Sequence, residues 1–496
     1  MNKKIRNRMK SKKMLPYIIA AVLTLTLFLG LMAPAGAATV TYQLDFSANP
    51  ADDSVPADGW WWVHDTKTLT LKNFDMLQSS CSTAILLPPD STLQITGNNI
   101  INCTTNAKGI NSSGSLTIQG NGTLGIKTNN NYGINVGNVT INNGTVSITS
   151  TNSSGIITSD FVTINNGTIS ITTNYTGIST DSGPVTINNG KVTINSSNSC
   201  GIYAGDSVTI GNGTVTINST DDYGIYTEYG PVEISGGTIS ITSCNEGICT
   251  GNGPVTISGG TVTINSTDDA GIGTDNDVII SGGKLSITAD LEGIWADNVT
   301  ISGGMTSIIA SHDEGIWADN VTITGGSGLI KTLNTAGEIW AVTCDDGLDV
   351  DDGIPVKGWS GTGYTIPASI DYIYSDEYYD DYYTFVISGT STPMTNIWFG
   401  DGAPSGGGGG GTGQATIVEG GKSGNTPPAA PQPETDDSNT NTNQTANNNS
   451  QNSNTENGNS AGTGGGSSTT MWIVLGVVAV VFVLGGGFFL YSKYGK

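Results

Sequence analysis

Apolar and polar residues alternate along most of this chain with a period of two, the mark of half-buried β-strands. Gly133-Ile134-Asn135-Val136, Val139-Thr140-Ile141 and Thr145-Val146-Ser147-Ile148 are three such segments in succession. The trio then returns. A Gly-Ile pair recurs at Gly109, Gly133, Gly155, Gly177, Gly201, Gly224, Gly247, Gly271, Gly293 and Gly315, in steps of 22–24 residues. Ala84-Ile85 and Glu338-Ile339 extend the series, giving about eleven units. Between the second and third segments lies a tight Asn-Gly or Gly-Gly turn, as at Asn143-Gly144, Asn189-Gly190 and Gly259-Gly260. Such residues tolerate the positive φ of a sharp corner.

Three short strands per unit predict a three-sided coil. Stacked coils pair each strand with its copies in parallel and line like side chains up in columns. The fold class is therefore all-β: a right-handed parallel β-helix solenoid over residues 84–344, of about eleven 22–24-residue coils. At the strand spacing of about 4.8 Å, it would be roughly 53 Å long. Residues 38–83, with Gly59-Trp60-Trp61-Trp62-Val63 and Leu69-Thr70-Leu71, read as an N-terminal cap. Residues 345–400, rich in Tyr and with Trp398, read as a C-terminal cap.

The motifs VTINNGT, VTISGGT and GIWADNVTISGG resemble those of microbial right-handed β-helix surface proteins of the carbohydrate-binding-domain type. The resemblance covers about residues 60–400 and implies a pectin-lyase-like fold. It says less about activity, because one scaffold hosts many functions. Lyase relatives would want an Arg, or a Lys paired with calcium, on the exposed strand. The body of this chain has no Arg and only scattered Lys, which argues against a lyase.

Composition sets the surroundings. Of the 496 residues, 42 are acidic and 18 are Lys or Arg. Seven of the cations fall in the first 13 residues and two in the last four, leaving nine lysines and a central charge of −33. Such a body repels phosphate backbones, so nucleic acid is excluded as a partner. Residues 1–37 read as a signal peptide: a basic head, an apolar run from Tyr17 to Met32, then Ala35-Gly36-Ala37. Residues 401–470 read as a disordered Gly/Pro/Asn/Ser linker. Residues 471–491 carry no charge and are long enough for a transmembrane helix, and 492–496 for a cytoplasmic tail. The expectation is a monomer held in the cell membrane by one helix, with its body extracellular.

Candidate chemistry lies in the residue after each Gly-Ile pair, which should point outward. That column reads Tyr203, Tyr226, Cys249, Gly273, Trp295, Trp317 and, after Glu338-Ile339, Trp340. Exposed indoles and phenols suit sugar-ring faces; alternatively they stabilise the sheet or lie beneath the C-terminal cap. Acids flank the column, among them Glu292, Glu314, Asp297 and Asp319. They form a solvated rim, bind a cation such as calcium, or serve as acid and base in glycoside hydrolysis. Asp345, Asp346, Asp349 and Asp351 lie in the densest acidic stretch, a calcium loop or an acidic turn. Its spacing does not fit an EF-hand. Ser311-His312-Asp313 has the residue types of a triad, but sequence neighbours rarely form one. Six cysteines in an exported region permit disulfides, with Cys81–Cys103 and Cys244–Cys249 as candidate pairs and the pairing open. Three functions remain in view: a non-catalytic glycan-binding surface protein, a glycoside hydrolase using Asp or Glu, and an adhesin or stalk with a host or neighbouring protein as partner. No cofactor is required.

Overall fold

The computed structural model describes residues 39–334, 339–359, 370–377, 380–387 and 394–401. The proposed signal peptide, linker and spanning segment lie outside the described residues. Among the described residues no helix is long and apolar enough to cross a membrane.

The chain forms a parallel β-solenoid of about twelve turns. Each turn contributes a strand to three sheets. One sheet holds the Gly-Ile strands, such as Ile134–Val136, Ile156–Thr158 and Ile178–Thr180. The second holds the Val-Thr-Ile strands, such as Val162–Ile164 and Val185–Ile187. The third holds six-residue strands, such as Thr145–Ser150 and Thr168–Thr173. Copies stack in strict parallel register, with Ile134 opposite Ile156, then Ile178, then Ile202. In two late turns the second and third strands and their corner run as one continuous strand with the first, Ile294–Ala310 and Ile316–Thr332.

The period-two pattern resolves as it must in a narrow prism. Most Ile and Val of all three sheets point inward and are fully buried, while the intervening residues, chiefly Thr, Ser and Asn but also Ile157, Ile279 and Ile309, face out. Two features make the stacking specific. The Gly of each Gly-Ile pair sits where a side chain cannot: a Cβ on Gly133 would lie 2.3 Å from Ile148 Cγ2 and 2.8 Å from the Gly155 carbonyl oxygen. At the corner before the third strand, Gly144, Gly167 and Gly190 have φ of 94°, 106° and 102°. Beside that corner Asn188 Nδ2 donates to Asn165 Oδ1, and Asn165 Nδ2 to Asn142 Oδ1, each at 2.8 Å. Buried hydroxyls finish the other corners, as where Thr227 Oγ1 donates to the Gly230 carbonyl at 2.6 Å.

The solenoid begins earlier than the Gly-Ile repeat suggests. Thr68–Lys72, Asp75–Gln78 and Thr83–Leu87 pair in parallel with the next turn and form a coil of their own. Leu and Met replace Ile and Val there, which hides the repeat from its consensus. An antiparallel ribbon, Asp53–Val55 with Trp60–Val63, then closes the front against Thr68–Lys72. At the other end Asn396–Phe399 pairs antiparallel with the last long strand and ends the parallel stack.

Candidate functional site

The outward column beside the Gly-Ile strands runs Tyr203, Tyr226, Cys249, Gly273, Trp295, Trp317 in register. Tyr203 and Tyr226 stack with ring centroids 5.6 Å apart at 29°, and Tyr223 adds a second stack on Tyr226 at 5.2 Å. Trp295 and Trp317 are each 40% exposed. Among the described residues neither indole makes a ring contact with another aromatic side chain. Asp297 and Asp319 follow the two tryptophans on the same outward side and are exposed.

Trp340 does not continue the ladder. The register sets Val342 on Ile316 and Thr343 on Trp317, so Trp340 falls in line with Glu314 and is only 8% exposed. The reason is steric. Ala341-Val342 takes the small-then-branched seat that Gly-Ile fills elsewhere, three residues after the Glu338-Ile339 pair that imitates it.

A second column stands one residue before each Gly. It carries Cys200, Tyr223, Glu246, Ala270, Glu292 and Glu314, and sits next to the aromatic column. Glu292, Glu314 and Asp313 converge, with one oxygen from each within 4.8 Å of the others. Burial, reinforced by the bond to Asp313 and the charges of Asp313 and Glu292, pushes the Glu314 carboxyl up to about 8. Burial, then Asp313 and Asp269, raises that of Glu292. Burial is also the main cause that lifts Glu246 to about 7. A Cβ on Gly273 would lie 3.2 Å from Glu246 Cγ, so Glu246 leans across the gap between the tyrosines and the tryptophans. Asp297, almost fully solvated, is raised by slight burial and by Asp319, Asp275 and Asp277.

These carboxyls offer three things: hydrogen-bond donors when protonated, acceptors when ionised, and oxygen ligands for a hard cation. Among the described residues Glu292, Asp313 and Glu314 are the only acids and thiols grouped closely enough for that last role. Asp345, Asp346, Asp349 and Asp351 are not such a group. They lie on or just after the extended strand Val342–Val350, where alternation and strand length spread them apart instead of wrapping them into a loop.

Other expectations resolve differently. All six cysteines carry free thiols. Cys103 stands opposite Gln78 rather than Cys81, and its Sγ donates to the Lys108 carbonyl. Cys244 Sγ donates to Asp268 of the following turn rather than meeting Cys249. His312 Nδ1 lies 2.8 Å from Asp290 Oδ1 one turn back, so Ser311-His312-Asp313 is no triad. Tyr223, Glu228 and Tyr229 escaped the sequence reading. Glu228 accepts a 2.5 Å bond from the Tyr203 hydroxyl and is held below the usual carboxylate range chiefly by that bond, then by Tyr229. The signal for Tyr223 was its place before Gly224 in the second column.

The family model of carbohydrate-binding domain-containing proteins matches residues 76–270 and again 225–376. The chain belongs to this family. The two matches overlap because a repeat fits the same model in more than one frame. For this member the first match holds the stacked tyrosines and the second holds Trp295, Trp317 and the three converging acids. No curated protein and no solved structure matches the chain.

Proposed function

We propose that this protein is a non-catalytic glycan-binding solenoid of the cell surface, anchored by one helix and displayed as a monomer in its right-handed, pectin-lyase-like form. A neutral sugar chain would lie along the solenoid axis, with pyranose faces on Trp295 and Trp317. Asp297, Asp319, Glu292 and Glu314 would bond its hydroxyls, and Tyr203 and Tyr226 would extend the platform. The observation that carries this reading is the pair of in-register, solvent-open indoles beside carboxyl groups. On a cell surface the same platform would make the protein an adhesin for a glycan-bearing neighbour. Glycan-array binding of the full-length protein tests it. Binding that is lost in Trp295→Ala/Trp317→Ala supports the reading; binding unchanged in that variant removes it.

Calcium belongs to this proposal as an accessory at Glu292, Asp313 and Glu314. It would displace protons from the raised carboxyls, so binding should tighten as pH rises. Calcium should raise the melting temperature more at pH 8 than at pH 6, and less in Glu292→Gln/Asp313→Asn. Equal effects in all these cases would remove the ion from the proposal.

One observation favours a second reading, a glycoside hydrolase. A protonated Glu314 beside Glu292 and Asp313 has the makings of a general acid and its partner carboxylate. Reducing-sugar release that disappears in Glu314→Gln would establish it. Inertness across a broad polysaccharide panel would leave the binding reading alone.

A further inference from the structure

Three tryptophans in a row, Trp60-Trp61-Trp62, close the front of the solenoid, yet only two of them are used in closing it. Trp60 and Trp62 point inward and are 4% and 1% exposed. Trp62 stacks on Phe46 at 4.7 Å and 17°, and Trp60 meets the same ring edge-on at 5.6 Å. Their indole N–H groups are both satisfied, Trp60 donating to the Tyr42 hydroxyl and Trp62 to the Pro50 carbonyl. Trp61 faces the other way by strand alternation. It is half-buried, and its indole N–H donates to nothing among the described residues.

The surroundings of Trp61 are polar. In the antiparallel ladder it lies between Ser54 and Thr70, and the same outward column continues through Gln94 and Gln119. Beside it opens a shallow cleft of about 460 Å³, lined by Asp52, Asp53, Ser54, Pro56, Trp61 and Trp62. Asp52 Oδ1 accepts the His64 backbone N–H, and Asp53 Oδ1 accepts that of Ser54. The second oxygen of each carboxylate has no bond among the described residues. The apolar end is already covered by Phe46, Trp60 and Trp62, so closing the core does not require an indole at position 61.

We propose that the cleft beside Trp61 is a second glycan-binding subsite, taking a neutral sugar residue with its ring face on the Trp61 indole. The free indole N–H and the unused oxygens of Asp52 and Asp53 would bond its hydroxyls. An indole next to acceptors, with no cation lining the cleft, fits an uncharged polyol and repels an acidic one. The subsite rests on the glycan-binding reading of the solenoid but shares no residue with the Trp295/Trp317 platform, and it precedes the family match, which starts at residue 76. Eleven strand steps separate Trp61 from the strand of Trp295, roughly 53 Å at the parallel strand spacing. A short oligosaccharide cannot span that distance, whereas one long polymer can hold both sites and gain avidity.

The test is calorimetric titration of full-length protein with β-1,4-linked hexasaccharides of glucose, xylose and N-acetylglucosamine. The wild type should bind two equivalents of at least one of them. Trp295→Ala/Trp317→Ala should retain one equivalent, and adding Trp61→Ala should abolish it. Trp61→Phe, which keeps a ring but loses the N–H, should bind in place of Trp61 with roughly tenfold weaker affinity. An unchanged melting temperature in Trp61→Ala shows that the front remains closed. The subsite is overturned if Trp61→Ala leaves the stoichiometry unchanged, or if Trp295→Ala/Trp317→Ala binds nothing while still folded. In either case the platform reading stands. A wild type that binds none of the three sugars removes both.

Discussion

Glycine at the Gly-Ile position is a steric requirement in the turns from Gly109 to Gly315, whereas the end turns seat Ala84 and Ala341 there. At Gly201 an added Cβ would lie 2.2 Å from Ile217 Cγ2 and 2.7 Å from the Gly224 carbonyl oxygen, so neither a core side chain nor backbone has room to yield. Gly201→Ala should therefore lower stability by about 1–3 kcal/mol, the usual cost of overpacking a tight core. Denaturant unfolding would read it, and a neutral result would contradict the stacking. At Glu314 the fold keeps until about 8 a proton that the unfolded chain releases near 4.5. Its contribution to stability is thus fully present below pH 4.5 and is lost as pH rises through about 8. Glu314→Gln should flatten the melting-temperature profile over that window; an unaltered slope would show that other groups set it. The Gly-Ile seat and the outward position after it were legible from the sequence, because each depends only on spacing. The proton on Glu314 was not, because it depends on how deep the column sits and on which acids of the next turn face it.

The coil is the unit at the next scale. Each turn contacts chiefly the turns before and after it, so the solenoid should tolerate loss of a whole unit. Deleting residues 178–201 joins Gly177 to Ile202 and restores the Gly-Ile pair with its register intact. The shortened protein should keep its β-sheet circular dichroism and its binding at Trp295 and Trp317. Removing only part of that unit should collapse the fold, since a slip of one residue turns every inward Ile outward. Sequence periodicity revealed the Gly-Ile turns, Ala84-Ile85 among them, but missed the coil strands Thr68–Lys72 and Asp75–Gln78, where Leu, Met and Phe fill the same inward seats. It also set Trp340 in the aromatic ladder, because Glu338-Ile339 and Ala341-Val342 both imitate Gly-Ile. Only the register of the packed strands, with Val342 on Ile316 and Thr343 on Trp317, selects between such frames.

Across the whole molecule the charge is one-sided, −24 overall and −33 between the cationic termini. Polyanionic ligands such as oligogalacturonate should therefore bind less well than neutral glycans at low salt. The difference should narrow as ionic strength rises and the Debye length shortens. Binding assays in 20 mM and 500 mM salt would show it, and a preference for polyanions at low salt would overturn the assignment of neutral ligands.

The amino-acid sequence alone determined that this chain winds into stacked parallel coils, because a period of two within strands and of 22–24 between them leaves no other way to bury its Ile and Val. It also determined that Trp295 and Trp317 lie on the outside, since parity along a strand sets the face. The tertiary structure decided what depends on distance across turns. It gathered Glu292, Asp313 and Glu314, kept the cysteines apart, spread the acids of 345–351 along a strand and withdrew Trp340 from the ladder. Those outcomes rest on the exact register of neighbouring coils, which a repeat of variable length specifies only once the chain has packed.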